Sequence, residues 1–196
     1  MPTKSFLFSF AFALLIAVPA HAHTGVHDAY SFVTGLSHPL GGLDHLLAMF
    51  AVGLLAAQIG GRAIWLVPGA FVAMMLLSSL AGFSGMDVPV IELGIAMSIV
   101  AIALPVAFAF GMPASLAMVY VGFFALFHGY AHGTELPAGG NAAPYMFGFA
   151  ASTALIHASG IAFGLALGRY AAFQRAHGLR LAGATVVLAG ISLIAV

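Results

Sequence analysis

Two short runs in this chain gather residues that can hold a metal ion. One is His38-Pro39-Leu40-Gly41-Gly42-Leu43-Asp44-His45; the other is Phe127-His128-Gly129-Tyr130-Ala131-His132-Gly133-Thr134-Glu135. Together they carry four of the nine histidines and two of the five carboxylates, in a sequence that is 63% hydrophobic and 5% charged. On a helix, His128, His132 and Glu135 fall on one face, because their spacings of four and three residues straddle the 3.6-residue turn. His38 and His45 are seven apart, about two turns if one helix carries both. Asp44 would then lie to the side of His45, as a lateral ligand or as a partner that holds the imidazole in place.

Four imidazoles with two carboxylates suit Ni²⁺, Co²⁺, Zn²⁺ or Cu²⁺, whereas Mg²⁺ and Ca²⁺ favour all-oxygen shells. The two carboxylates offset the charge of a dication, and neutral histidines replace its water without adding charge. For any one histidine the plain alternative is a buried ring bonded to nearby backbone. That alternative weighs most for His157, midway along an apolar run, and Glu92 could be a ligand, a proton carrier or a hydrogen-bond acceptor. His177 lies among arginines, and the scattered methionines suit packing.

The elements that must position these groups are membrane helices. A mean hydropathy of +1.13 with so few charges fits no water-soluble domain, which normally carries about 25% charged residues. The net charge is zero and no basic block exists, so nucleic acid is not an expected partner. There is no cysteine, which excludes thiolate ligands and thiol catalysis. Lys4, the apolar run 6–18 and Ala20-His21-Ala22 read as a secretory signal peptide over residues 1–22. Cleavage there would make His23 the mature N-terminus, its α-amine and imidazole forming a chelating pair with His27 and Asp28 close behind. Residues 23–196 are expected to form a single all-α domain, a polytopic bundle with spans near 39–59, 63–82, 89–110, 113–132, 144–168 and 179–196.

An exported N-terminus places Arg62, Arg169, Arg175 and Arg180 inside and Asp28, Asp87 and Glu135 outside, which satisfies the positive-inside rule. Both polar runs then meet at the outer ends of spans one and four. Gly129 and Gly133 form a small-xxx-small pair that permits close helix packing.

The two runs, His38-x5-Asp44-His45 and Phe127 to Glu135, closely resemble the signature motifs of the HupE/UreJ family of bacterial nickel permeases, proteins that accompany hydrogenase or urease gene clusters. The resemblance implies a cleaved signal, a mature N-terminal histidine and six spans. It also implies that His38, Asp44, His45, His128, His132 and Glu135 recognise or pass nickel, with His23 as an entry ligand, in the bacterial inner membrane with the mature N-terminus periplasmic. The expected activity is secondary uptake of Ni²⁺, with no prosthetic group and no enzymatic step, an indirect link to nickel-enzyme maturation, and oligomer formation open. No Gly-x4-Gly-Lys-Ser/Thr loop occurs, so the chain itself is not an ATP-driven pump. Two other readings use the same residues: an intramembrane zinc-dependent hydrolase, and a metal-binding accessory protein that does not transport.

Overall fold

The computed structural model describes residues 31–84, 88–135, 142–167 and 172–195, with side chains from 177 onward in the last stretch. The described residues form seven α-helices and no strand: α1 Phe32–Gly41, α2 Leu43–Ile59, α3 Ala63–Gly82, α4 Ile91–Ala107, α5 Ala114–Thr134, α6 Ala142–Leu167 and α7 Ala172–Ile194. The signal segment 1–22, His23, His27, Asp28, Asp87 and Arg169 lie outside the described residues.

Helix α2 is the axis of the bundle and packs against α1, α3, α4, α6 and α7. Its sequence explains this position, because from Leu47 to Ala57 it is apolar all round and almost wholly buried. It ends at Gly60 (φ 75), whose N–H bonds to Ala56 O at 2.9 Å, and Gly61 (φ 55) follows. Both lie in the left-handed region that glycine enters without steric cost.

Small residues set the other close approaches. A Cβ on Gly129 would strike the Met75 carbonyl and Ser78 Oγ, and one on Gly133 would strike Ser79 O and the Cα of Gly82. Those two glycines are where α5 meets α3, which turns the neighbouring His128 and His132 towards the interior. Gly148 similarly meets α1 at Phe32 O, and Gly160 meets α2 at Phe50 O. Such backbone-level contacts are how helices associate where burial of apolar surface supplies no drive.

Large apolar side chains face outward, with Trp65 79%, Val119 71% and Phe147 73% exposed. An outer surface of this kind fits lipid. Helices α3, α5, α6 and residues 177–194 of α7 are long and apolar enough to cross a membrane, and α1 with α2 makes a fifth candidate span if the bent pair counts as one. Helix α4 is apolar but has 17 residues.

Two sequence expectations are corrected. The span at 39–59 is not one helix: Gly42 is extended (φ −112, ψ 123) and α1 meets α2 at 88°. Pro39 therefore sits late in α1, ahead of the bend. The last helix starts before the expected 179, since α7 begins at Ala172 and carries Arg175, His177 and Arg180 on helix.

Candidate metal centre

The break at Gly42 builds one side of the site. A side chain there would crowd Asp44 Oδ1 and His45 Nδ1, so its absence lets Asp44 fold back over the start of α2. Asp44 Oδ1 accepts both the His45 backbone N–H, at 2.8 Å, and the His45 ring Nδ1–H, also at 2.8 Å. A carboxylate in the first turn of a helix also meets unsatisfied N–H groups and the positive end of the dipole.

Helix α5 builds the other side. His132 Nδ1 lies 3.1 Å from Glu135 Oε2, the in-register pair anticipated from the sequence. His45 Nε2 and His132 Nε2 face each other at 2.7 Å. His38 reaches the same carboxylate from α1, with Nε2 3.4 Å from Glu135 Oε2. It comes over α6, where its ring packs near Tyr145 and Phe149 with centroids 5.9 and 6.0 Å away, and not along a helix shared with His45. His38, His132 and Glu135 each bring one ligand atom within 4.8 Å of the others.

The proton count along this network is short. Three contacts run Asp44–His45–His132–Glu135, and each needs a proton between its two heteroatoms. Two neutral imidazoles carry one proton each, so one contact must oppose two lone pairs. If both rings donate Nδ1–H to their carboxylates, the unsatisfied gap is the 2.7 Å between the Nε2 atoms. A third proton or a metal cation completes the network. Two histidines whose Nδ1–H groups are held by carboxylates, leaving Nε2 free, repeat the outer-shell pattern of metal-ligating imidazoles.

Exposure falls steeply across the group. The Glu135 side chain is 51% exposed and that of His38 32%, against 12% for His45 and 1% for His132. His128, one turn before His132, is fully buried, with its ring centroid 5.2 Å from that of His45. The cluster thus leads from a wet rim into a dry interior. At the opposite end of the bundle, Gln58 Nε2 donates to Pro105 O and Phe110 O, and Arg180 Nε donates to Ala107 O. Arg62 also lies there, between α2 and α3.

Of the residues singled out from the sequence, the structure brings His38, Asp44, His45, His128, His132 and Glu135 together. Glu92, in the first turn of α4, is exposed and outside this group. His157 is buried on α6, apart from the carboxylates. Sequence reasoning missed Ser98, whose Oγ lies 2.9 Å from His128 Nε2; a hydroxyl inside an apolar helix was the available signal. It also missed Phe149, whose ring centroid is 4.1 Å from that of His132, and nothing distinguished that residue among 17 phenylalanines.

The chain was compared with known proteins. Residues 11–193 match the HupE / UreJ protein family. Protein HupE of Rhizobium leguminosarum bv. viciae is 44% identical over 182 residues, spanning 93% of each chain. No solved structure matches. A family match over nearly the whole length, together with a relative this similar, establishes that the chain belongs to the HupE/UreJ family.

Proposed function

We propose that this protein imports a divalent transition metal, Ni²⁺ foremost, across the bacterial inner membrane without ATP. One observation carries the reading: a chain of two carboxylates and two facing imidazoles, one proton short, graded from an exposed rim to a dry interior. Right-angled bonds of ~2.0–2.1 Å would set two ligand nitrogens roughly 2.9 Å apart, close to the 2.7 Å between the facing Nε2 atoms. Tetragonal nitrogen and oxygen shells are those Ni²⁺ and Cu²⁺ favour. Membership of the family to which Protein HupE of Rhizobium leguminosarum also belongs supports a role in nickel supply.

In this reading residues 1–22 are a cleaved signal and 23–196 a six-pass domain, with α1–α2 as a broken first pass and α4 as a short third. The histidine end is periplasmic and the arginine end cytoplasmic, as the positive-inside rule requires. His23, with His27 and Asp28, captures the ion, and His38 with Glu135 receives it at the rim. His132 then shares it with His45 through the two facing Nε2 atoms. Inward movement of a dication gains about 4.6 kcal/mol per 100 mV of membrane potential.

The test is uptake of radiolabelled nickel by sealed vesicles carrying wild type, His45→Ala or His132→Ala. Wild type should accumulate the ion and both variants should not. Equal accumulation in all three would remove the role given to these residues.

A further inference from the structure

Beyond the carboxylates, two buried imidazoles hold nitrogens that have no hydrogen-bond partner among the described residues. Ser98 Oγ donates its proton to Ile95 O at 2.6 Å, so at its 2.9 Å contact with His128 Nε2 the hydroxyl oxygen accepts. His128 therefore carries its proton on Nε2, and its Nδ1 lone pair is left buried without a hydrogen-bond partner among the described residues. His157 is 1% exposed, and neither of its nitrogens has such a partner. Buried polar atoms are nearly always paired, and orphans mark a strained or functional place.

These orphans lie in sequence inward of the outer network. His128 is one turn nearer the arginine end than His132. His157 lies eight residues past Phe149 on α6, roughly 12 Å along that helix, and Phe149 touches His132. The Phe71 ring contacts both deep histidines, with centroids 5.6 Å from His128 and 5.2 Å from His157. One turn from Phe71 on α3, the thioether of buried Met75 receives Thr153 Oγ1 at 3.9 Å, and Thr153 is one turn from His157 on α6. Among the described residues no hydrogen bond or ion pair joins either deep histidine to a carboxylate, and the thioether of Met75 lies nearby. A dication would be held there weakly, as a transit point requires.

Resting on the importer reading, we propose that His128 Nδ1 and His157 form an inner station for the divalent transition metal. His157 serves passage through the bundle and not capture at the rim. Among the described residues no hydrogen bond ties His157 to its surroundings, so replacing its ring removes no hydrogen bond among them.

The test compares wild type with His157→Phe and His157→Gln in two measurements: equilibrium Ni²⁺ binding to purified full-length protein, and ⁶³Ni²⁺ flux into proteoliposomes. The expected result is flux reduced about tenfold or more in both variants, with affinity within about threefold of wild type. Retained affinity also certifies that the variants are folded. Unchanged flux in either variant, or flux and affinity lost together, would overturn the inner station. Wild-type vesicles that take up no nickel would sink the importer reading and this inference with it, an outcome seen before any variant is compared.

Discussion

Asp44→Asn separates charge from geometry at the rim. The amide oxygen of asparagine can still accept the His45 backbone N–H and the ring Nδ1–H, both now at 2.8 Å, so the imidazole should keep its orientation. Only the negative charge is lost. A cation on His45 Nε2 would sit across the ring, roughly 6–7 Å from the carboxylate oxygen. At that distance a dication and a unit charge attract by about 1.3 kcal/mol at ε ~80 and about 5 kcal/mol at ε ~20. The Asp44 side chain is 38% exposed, which favours the aqueous end of that range. A loss of about 1.5–2.5 kcal/mol, or about 10–60-fold in affinity, is expected. Calorimetric titration of purified protein with Ni²⁺ at neutral pH measures it. Because Asp44 acts through His45, the same substitution in a His45→Ala background should cost far less. Unchanged affinity for Asp44→Asn, or an equal loss in both backgrounds, would refute the outer-shell role.

Other expectations follow from the same geometry. Protons and metal compete for the imidazole lone pairs, so Ni²⁺ affinity should weaken as pH falls, by up to about tenfold per pH unit for each proton displaced; titrations from about pH 7.5 downward check it, and a flat profile contradicts histidine ligation. Gly129→Ala drives a Cβ into Met75 O and Ser78 Oγ, so α5 must shift against α3 and carry the histidines with it. Thermal melts should show a loss of about 1–3 kcal/mol, whereas Gly41→Ala, where a Cβ meets nothing within 4 Å, should behave as wild type.

Much of the site was legible because it is local. His128, His132 and Glu135 lie on one helix, and helical spacing alone puts them on one face; Gly129 and Gly133 mark the adjacent face, which packs on α3, in the same way. The apolar segments likewise marked where the helices fall, to within a few residues at most ends. What escaped was long-range or depended on a single backbone angle. Pro39-Leu40-Gly41-Gly42 holds turn residues, yet hydropathy ran straight through them and concealed the 88° bend. His38 joins the cluster all the same, carried there by the α1–α6 contact at Gly35 and Gly148. Ser98 and Phe149 belong to helices far away in sequence from the histidines they touch, and no spacing rule connects them. The start of α7 escaped as well: hydropathy marks a span only from 179, whereas the helix begins at Ala172, because a helix that reaches the membrane boundary tolerates charge at its end.

The central claim is that the facing imidazoles of α2 and α5 together ligate the cation. Nickel-edge X-ray absorption on the purified, Ni²⁺-loaded protein tests it most directly, because imidazole rings give outer-shell scattering that water and carboxylates lack. At least two imidazoles (His45 and His132) are expected on the metal in wild type, and one fewer in His132→Ala. An all-oxygen shell, or the same imidazole count in both proteins, would contradict it.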